Sequence, residues 1–180
     1  MNIFYLHSDP KIAVEYLYDK HVVKMVLETA QLLCTAQQHY AEIHNSNRYI
    51  PYKKAYYNHP SNKWVRESKA NYEWLWNYFC AISGEYEKRY GKVHMSFIKL
   101  YTAQMHIAPA GIPDLPFTQP PQCMPDEFKQ KCSIQAYWNY YINAKKHIAR
   151  GKEDLWVYRP REIEKLNIKN YEQSTMEVLS

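Results

Sequence analysis

Glycine is scarce in this sequence: 180 residues contain 4, against 10 prolines. Gly-rich phosphate loops, dinucleotide-binding turns and tight hairpins all need glycine at fixed offsets, so those classes are disfavoured. No apolar run approaches the roughly 18 residues that a membrane-spanning helix requires. The opening MNIFYLHSDP has no basic segment followed by a long apolar stretch, so no secretory signal is expected. The four cysteines, Cys34, Cys80, Cys123 and Cys132, have neither a C-x-x-C zinc spacing nor the density of a disulfide framework, and H-E-x-x-H is missing. The expectation is a reduced, cytoplasmic protein with no cofactor and no metal site.

What is present is aromatic and basic. Tyrosine alone numbers 18, with 5 Trp and 5 Phe, and the formal charge is +5 with 8 further histidines. A hydrophobic fraction of 46% excludes global disorder, and the length fits one domain. A basic surface interleaved with aromatics suits phosphate tracking and base stacking. Tyrosine also fills cores of every kind, so composition alone permits nucleic acid without requiring it.

From Lys11 to about Ile43 there is neither Gly nor Pro, and Val23, Val26, Leu27, Ala30, Leu33 and Cys34 recur at the spacing of a packed helix. Ser8-Asp9-Pro10 reads as its start, and Asp19-Lys20 as a break between a short and a long helix. Residues 44–57 are polar, carry Pro51 and read as a loop. Asn58-His59-Pro60-Ser61 opens a second long helix that stops at Tyr90-Gly91-Lys92, with Trp64, Ser68, Asn71, Leu75, Phe79 and Ile82 on one face. A shorter helix is predicted over 95–105. Residues 108–127 hold six prolines, and are either a functional loop or a packed strap, with Phe117 and Met124 favouring packing. Ser133 is placed as the cap of a last helix running to about Arg150, with Tyr137, Tyr140 and Tyr141 on its buried side. The fold class expected is a compact all-α, single-domain helical bundle over 1–158, followed by a C-terminal tail over 159–180.

One helix face has an unusual chemistry. His21, Lys24, Glu28, Gln31 and Thr35 fall along a single stripe, and Lys24 and Glu28 can pair four residues apart. A solvated face with an incidental ion pair would serve as an explanation. Yet solvated faces usually repeat charged residues, whereas here one imidazole, one amine, one acid and one amide form a proton-transfer set.

Other constellations admit two readings each. His59 lies at a helix start that favours anions, Trp64 is placed to stack on a base, and Arg66 and Asn71 stand nearby. Alternatively, Asn58 caps the helix, Trp64 is core, and Ser68 and Asn71 satisfy backbone groups. Arg89, Lys92 and His94 make a basic helix end, which either complements the helix dipole or clamps phosphate. Gln122 sits on a rigid Pro-rich loop and either fills the gap left by an extruded base or braces a connector. Lys145, Lys146 and Arg150 give the last helix a generic phosphate surface.

The motif D-x-H-x6-E, formed by Asp19, His21 and Glu28, resembles the N-terminal helix of the pyrimidine-dimer DNA glycosylases of the endonuclease V type, and LWNYFCAISGEYEKRYG resembles a later helix of that family. The segments DKHVVKM, NHPSNKWVRES, RYGKVH, PPQCMPDEFK and YWNYYI are similar to a group of short phage-encoded proteins, over roughly residues 1–150. The resemblance implies an all-helical enzyme acting on double-stranded DNA as a monomer or weak dimer. It implies Glu28 as the catalytic acid/base, His21 as a phosphate or base contact, and a chain α-amino group as the nucleophile that forms an imine with the damaged sugar. The family has a small residue after the initiator Met; here Asn2 follows Met1. The amine is therefore that of Met1 or of Asn2, with Lys24 as a third candidate. Two alternatives stay open: a nucleobase- or nucleotide-modifying enzyme on the same scaffold, and a non-catalytic nucleic-acid-binding or host-interaction protein.

Overall fold

The structure, a computed structural model, describes residues 1–148. Arg150, the side chain of Lys146, the boundary at 158 and the tail over 159–180 lie outside the described residues. Among those described, the chain forms six α-helices and no strand: α1 Pro10–Glu15, α2 Asp19–Ile43, α3 Pro60–Glu67, α4 Lys69–Tyr90, α5 Met95–Thr102 and α6 Ser133–Ala144. The all-α class read from the sequence is the class observed.

The helix starts follow local chemistry. Asp9 caps α1 by accepting from the Lys11 N–H at 2.8 Å, with Pro10 in the first turn. The single helix expected over 58–90 is two helices. Ser68 is extended (φ −151°, ψ 154°), and its hydroxyl accepts from Asn71 N–H at 3.0 Å. Asn71 in turn donates to the Trp64 carbonyl at 3.0 Å, so one helix end and the next helix start are satisfied by two adjacent side chains. Gly91 closes α4 in the left-handed conformation (φ 66°). The last helix ends at Ala144 rather than Arg150, with a 3-10 turn over Lys146–Ile148. Its cap is not Ser133: the Ser133 N–H donates to Gln119 Oε1 at 2.9 Å, a group supplied by the preceding segment.

Helices α2 and α4 form the central pair, with α1 and α3 packed on α4 and α3 and α5 on α2. Leu32, Leu33, Tyr72, Leu75 and Phe79 are fully buried between them. Two non-helical segments complete the core. Residues 3–6 are buried outside any helix: Leu6 N–H donates to Phe4 O at 2.9 Å, Trp138 donates to Leu6 O at 2.7 Å, and just beyond the segment Trp74 donates to Ser8 O at 2.9 Å. The proline-rich segment 108–127 is a packed strap. Asn71 Oδ1 accepts from Thr118 N–H (2.9 Å), Trp64 Nε1 donates to Thr118 O (3.0 Å), and Lys69 N–H donates to Pro113 O (2.8 Å). Together these segments hold the first residues of the chain among α3, the strap and α6.

Candidate active site

The first two residues are held from three directions. Asn2 Nδ2 donates to the Cys123 carbonyl of the strap at 3.0 Å, and Asn2 Oδ1 accepts from its neighbour Ile3 N–H at 2.8 Å. The Tyr137 hydroxyl of α6 reaches the same oxygen at 2.7 Å. Met1 is half-buried against the core, and its sulfur lies 3.7 Å from Asn62 Nδ2 in the first turn of α3. The Met1 side chain thus meets α3, while the Asn2 side chain is tied to the strap and α6.

Two titratable groups share this neighbourhood. Glu28 on α2 is mostly covered, with its side chain 14% exposed. Its Oε1 lies 3.0 Å from the Lys24 ammonium, which is 68% exposed. His59 caps α3 by accepting from Ser61 N–H at Nδ1 (3.2 Å). Burial pushes the His59 pKa below its ordinary value, the positive Met1 amine adds to that, and the Glu28 charge opposes it. A neutral ring that accepts at Nδ1 carries its proton on Nε2, so His59 offers an N–H donor rather than a base. His59 thus lies within electrostatic range of both the Met1 amine and Glu28, groups from two other segments.

The rest of the α2 stripe is covered. Thr35 is buried, and its hydroxyl accepts from Ala55 N–H at 3.1 Å, so loop 44–59 roofs that end. His21 corrects an expectation. The resemblance puts it at the DNA, but its ring is 7% exposed and stacked on Phe4 (centroids 4.2 Å apart), which leaves no free face for a phosphate. Tyr141 Oη accepts from Tyr18 N–H at 2.8 Å and is hydrogen-bonded to His21 Nδ1, also 2.8 Å away. Burial, reinforced by the Lys145 and Lys24 charges, pulls the His21 pKa down to about 3. A second buried group lies close by: the Tyr78 hydroxyl has no hydrogen-bond partner among the described residues, and burial together with the Glu28 charge raises its pKa.

The other candidates do not converge with Met1 and Glu28. Trp64 is core, its indole N–H on Thr118, and Asn71 is fully buried. Arg66 is 9% exposed, donates to Tyr57 O at 2.9 Å and lies 3.7 Å over the Tyr57 ring. The Arg89 guanidinium binds Glu85 Oε1 (2.6 Å), Asp19 Oδ1 (2.8 Å) and Leu17 O (2.7 Å), closing the α1–α2 corner onto α4. Gln122 braces the strap, donating to Gln130 O and accepting from Gln130 N–H. His94 caps α5. Lys92 is exposed, and Lys145 sits over the Tyr140 ring at 4.9 Å. Sequence reasoning missed Asn62, Cys123 and Tyr137 as holders of the N-terminus. No local signal marks them, because their role exists only in the folded contacts.

A recess of about 480 Å³ opens at the far end of α2, lined by Gln38, Glu42, Ser46 and Arg48, well along the helix from Glu28. Among the described residues no three His, Cys, Asp or Glu side chains gather to hold a metal ion, and no helix is long and apolar enough to cross a membrane.

A family model described as pyrimidine dimer DNA glycosylase matches residues 1–99, more than half of the chain and the part that holds Met1, Glu28 and His59. No curated protein and no solved structure gives a significant match.

Proposed function

Because the chain belongs to the pyrimidine dimer DNA glycosylase family, we propose that it excises a damaged base from double-stranded DNA through the α-amino group of its first residue and the carboxylate of Glu28. The observation that carries this reading is that His59 feels the charges of both the Met1 amine and Glu28, with the Met1 and Asn2 side chains held by Asn62, Cys123 and Tyr137.

The chemistry follows from those groups. The amine attacks C1′ of the damaged nucleotide, and the C1′–N bond breaks with its electron pair leaving on the base, which takes up a proton. The amine sheds its protons as the C1′–O4′ bond opens and O4′ is protonated, which leaves an imine. Loss of a C2′ proton then expels the 3′ phosphate, and water hydrolyses the imine to free the amine. Glu28 is the base positioned for these transfers. Lys24 holds Oε1, so Oε2 is the oxygen left to work. His59 Nε2–H suits a phosphate or sugar oxygen as a donor. An α-amine ordinarily loses its proton about two pH units below a lysine, and Lys24 is tied to Glu28, so the chain amine is the better nucleophile. The exposed Lys24, Lys53 and Lys92 supply phosphate contacts.

Borohydride trapping on UV-irradiated, abasic and undamaged duplexes tests the reading. A covalent adduct on damaged DNA is expected, mapped by mass spectrometry to the first residue and lost on Glu28→Gln. No adduct together with tight, strongly salt-dependent binding would instead assign a non-catalytic binding protein. The same spectrum of the free chain shows whether Met1 is kept.

A further inference from the structure

Tyr56 and Tyr57 are neighbours in loop 44–59 with opposite fates. The Tyr57 ring is engaged inside the fold, under the Arg66 guanidinium and with its hydroxyl 2.8 Å from His39 Nδ1. The Tyr56 ring is 71% exposed. Its backbone is also unusual: φ is +49°, the left-handed region that an aromatic residue rarely occupies and that glycine or asparagine fills with less strain. That conformation is imposed from inside. The fully buried Asn62 amide donates to both Ala55 O (2.7 Å) and Tyr56 O (2.9 Å), and His59 N–H also donates to Tyr56 O (2.9 Å). Thr35 takes the Ala55 N–H. With both carbonyls drawn inward, the side chain at 56 is directed to solvent.

The Asn62 nitrogen that makes these bonds is the one in contact with the Met1 sulfur. A rigid aromatic plate is therefore presented on a turn whose Asn62 clamp also touches the Met1 side chain, with the exposed Lys53 three residues before it. An exposed ring buries little surface, so the strain is not repaid by packing. A flat aromatic at that place matches what an extruded nucleotide leaves behind, a gap in the base stack that a stacking side chain can fill regardless of sequence.

We propose that Tyr56 enters the duplex and stacks in the space vacated by the nucleotide that turns toward the Met1 amine and Glu28. This rests on the glycosylase reading above, and it names a residue whose task is to hold the lesion site open rather than to react.

The test uses a duplex with a tetrahydrofuran abasic analogue and an adjacent 2-aminopurine, an undamaged duplex of the same sequence, and borohydride trapping on a true abasic duplex. Tyr56→Gly suits the left-handed backbone, so its Tm is expected at or above that of Tyr56→Ala, and misfolding is not at issue. The wild type is expected to perturb 2-aminopurine fluorescence only on the lesion duplex. Tyr56→Phe should keep that response within about twofold. Tyr56→Gly and Tyr56→Ala should bind the lesion duplex about tenfold more weakly, with undamaged binding unchanged. If those two variants bind and trap lesion DNA like the wild type, Tyr56 is not the stacking residue, while the glycosylase reading stands. Equal losses on lesion and undamaged duplexes would make it a general backbone contact and also overturn the proposal. A wild type that neither traps nor distinguishes the lesion removes the glycosylase reading, and this proposal with it.

Discussion

Tyr137 and Asn2 meet at 2.7 Å, a hydroxyl from the last described α-helix against the side-chain carbonyl of the second residue. The same hydroxyl lies 2.7 Å from Pro121 O, and one proton serves one acceptor at a time, so the bond is shared between the N-terminal segment and the strap.

Tyr137→Phe removes both options while keeping the ring. The expected cost is about 1 kcal/mol of stability, since Asn2 Oδ1 keeps the Ile3 N–H and Pro121 O keeps the Cys123 N–H. Imine formation should slow by roughly tenfold, because a displaced nucleophile loses its attack geometry, whereas affinity for undamaged DNA should not change. Single-turnover trapping rates measured beside salt-titrated binding check the split.

His21 makes stability depend on pH with a definite sign. Its folded pKa is about 3, below the ordinary 6.5, so between those values the unfolded chain binds the extra proton. This contribution is complete above pH 6.5 and is lost as pH falls from there toward 3. At pH 4 the loss should be on the order of 3 kcal/mol. Urea unfolding of wild type and His21→Phe at pH 7 and pH 4 should show a smaller acid loss in the variant.

Arg89 separates a structural cation from a DNA-binding one. Arg89→Ala leaves the Glu85 carboxylate, 9% exposed, without its close partner, and should cost about 3 kcal/mol. The dependence of DNA affinity on salt should keep its slope, since no phosphate contact is lost. Lys53→Ala should show the reverse: an unchanged Tm within a degree or two and a slope lower by about one. Thermal melts and binding isotherms at several salt concentrations decide both.

Asn71→Ala should free the strap. It removes the acceptor for the N–H of the exposed Thr118 and the donor to the carbonyl of the buried Trp64, at an expected cost of about 2 kcal/mol. Limited proteolysis should then cut within 108–127 at a protease dose that leaves the wild type whole.

The sequence made some of this architecture visible and hid the rest for physical reasons. Helix α2 was readable because an uninterrupted stretch without Gly or Pro carried one apolar stripe. The break at Ser68 was not, because it depends on Ser68 and Asn71 bonding backbone ends rather than on a helix-breaking residue. Glu28 stood out on its polar stripe, and so did His21 seven residues earlier, at nearly the same angle around the helix. Periodicity gives the angle but not the cover. Phe4 and Tyr141 lie over His21, whereas Glu28 keeps an edge to solvent. That His59 feels both the Met1 amine and Glu28 could not be read locally, since residues 1, 28 and 59 come into range only through the path of the N-terminal segment.

That path also sets when the site can exist. Residues 2–6 are made long before Tyr137 and Trp138, the partners that fix them, so the ribosome must deliver almost the whole described chain before the first residues can be seated. During that interval Asn2 and Leu6 lack the side chains that later hold them. Long-range closure of this kind is a slow step in folding. The segment at the head of the sequence is thus among the last parts of the fold to be seated, and any chemistry that depends on it waits for α6.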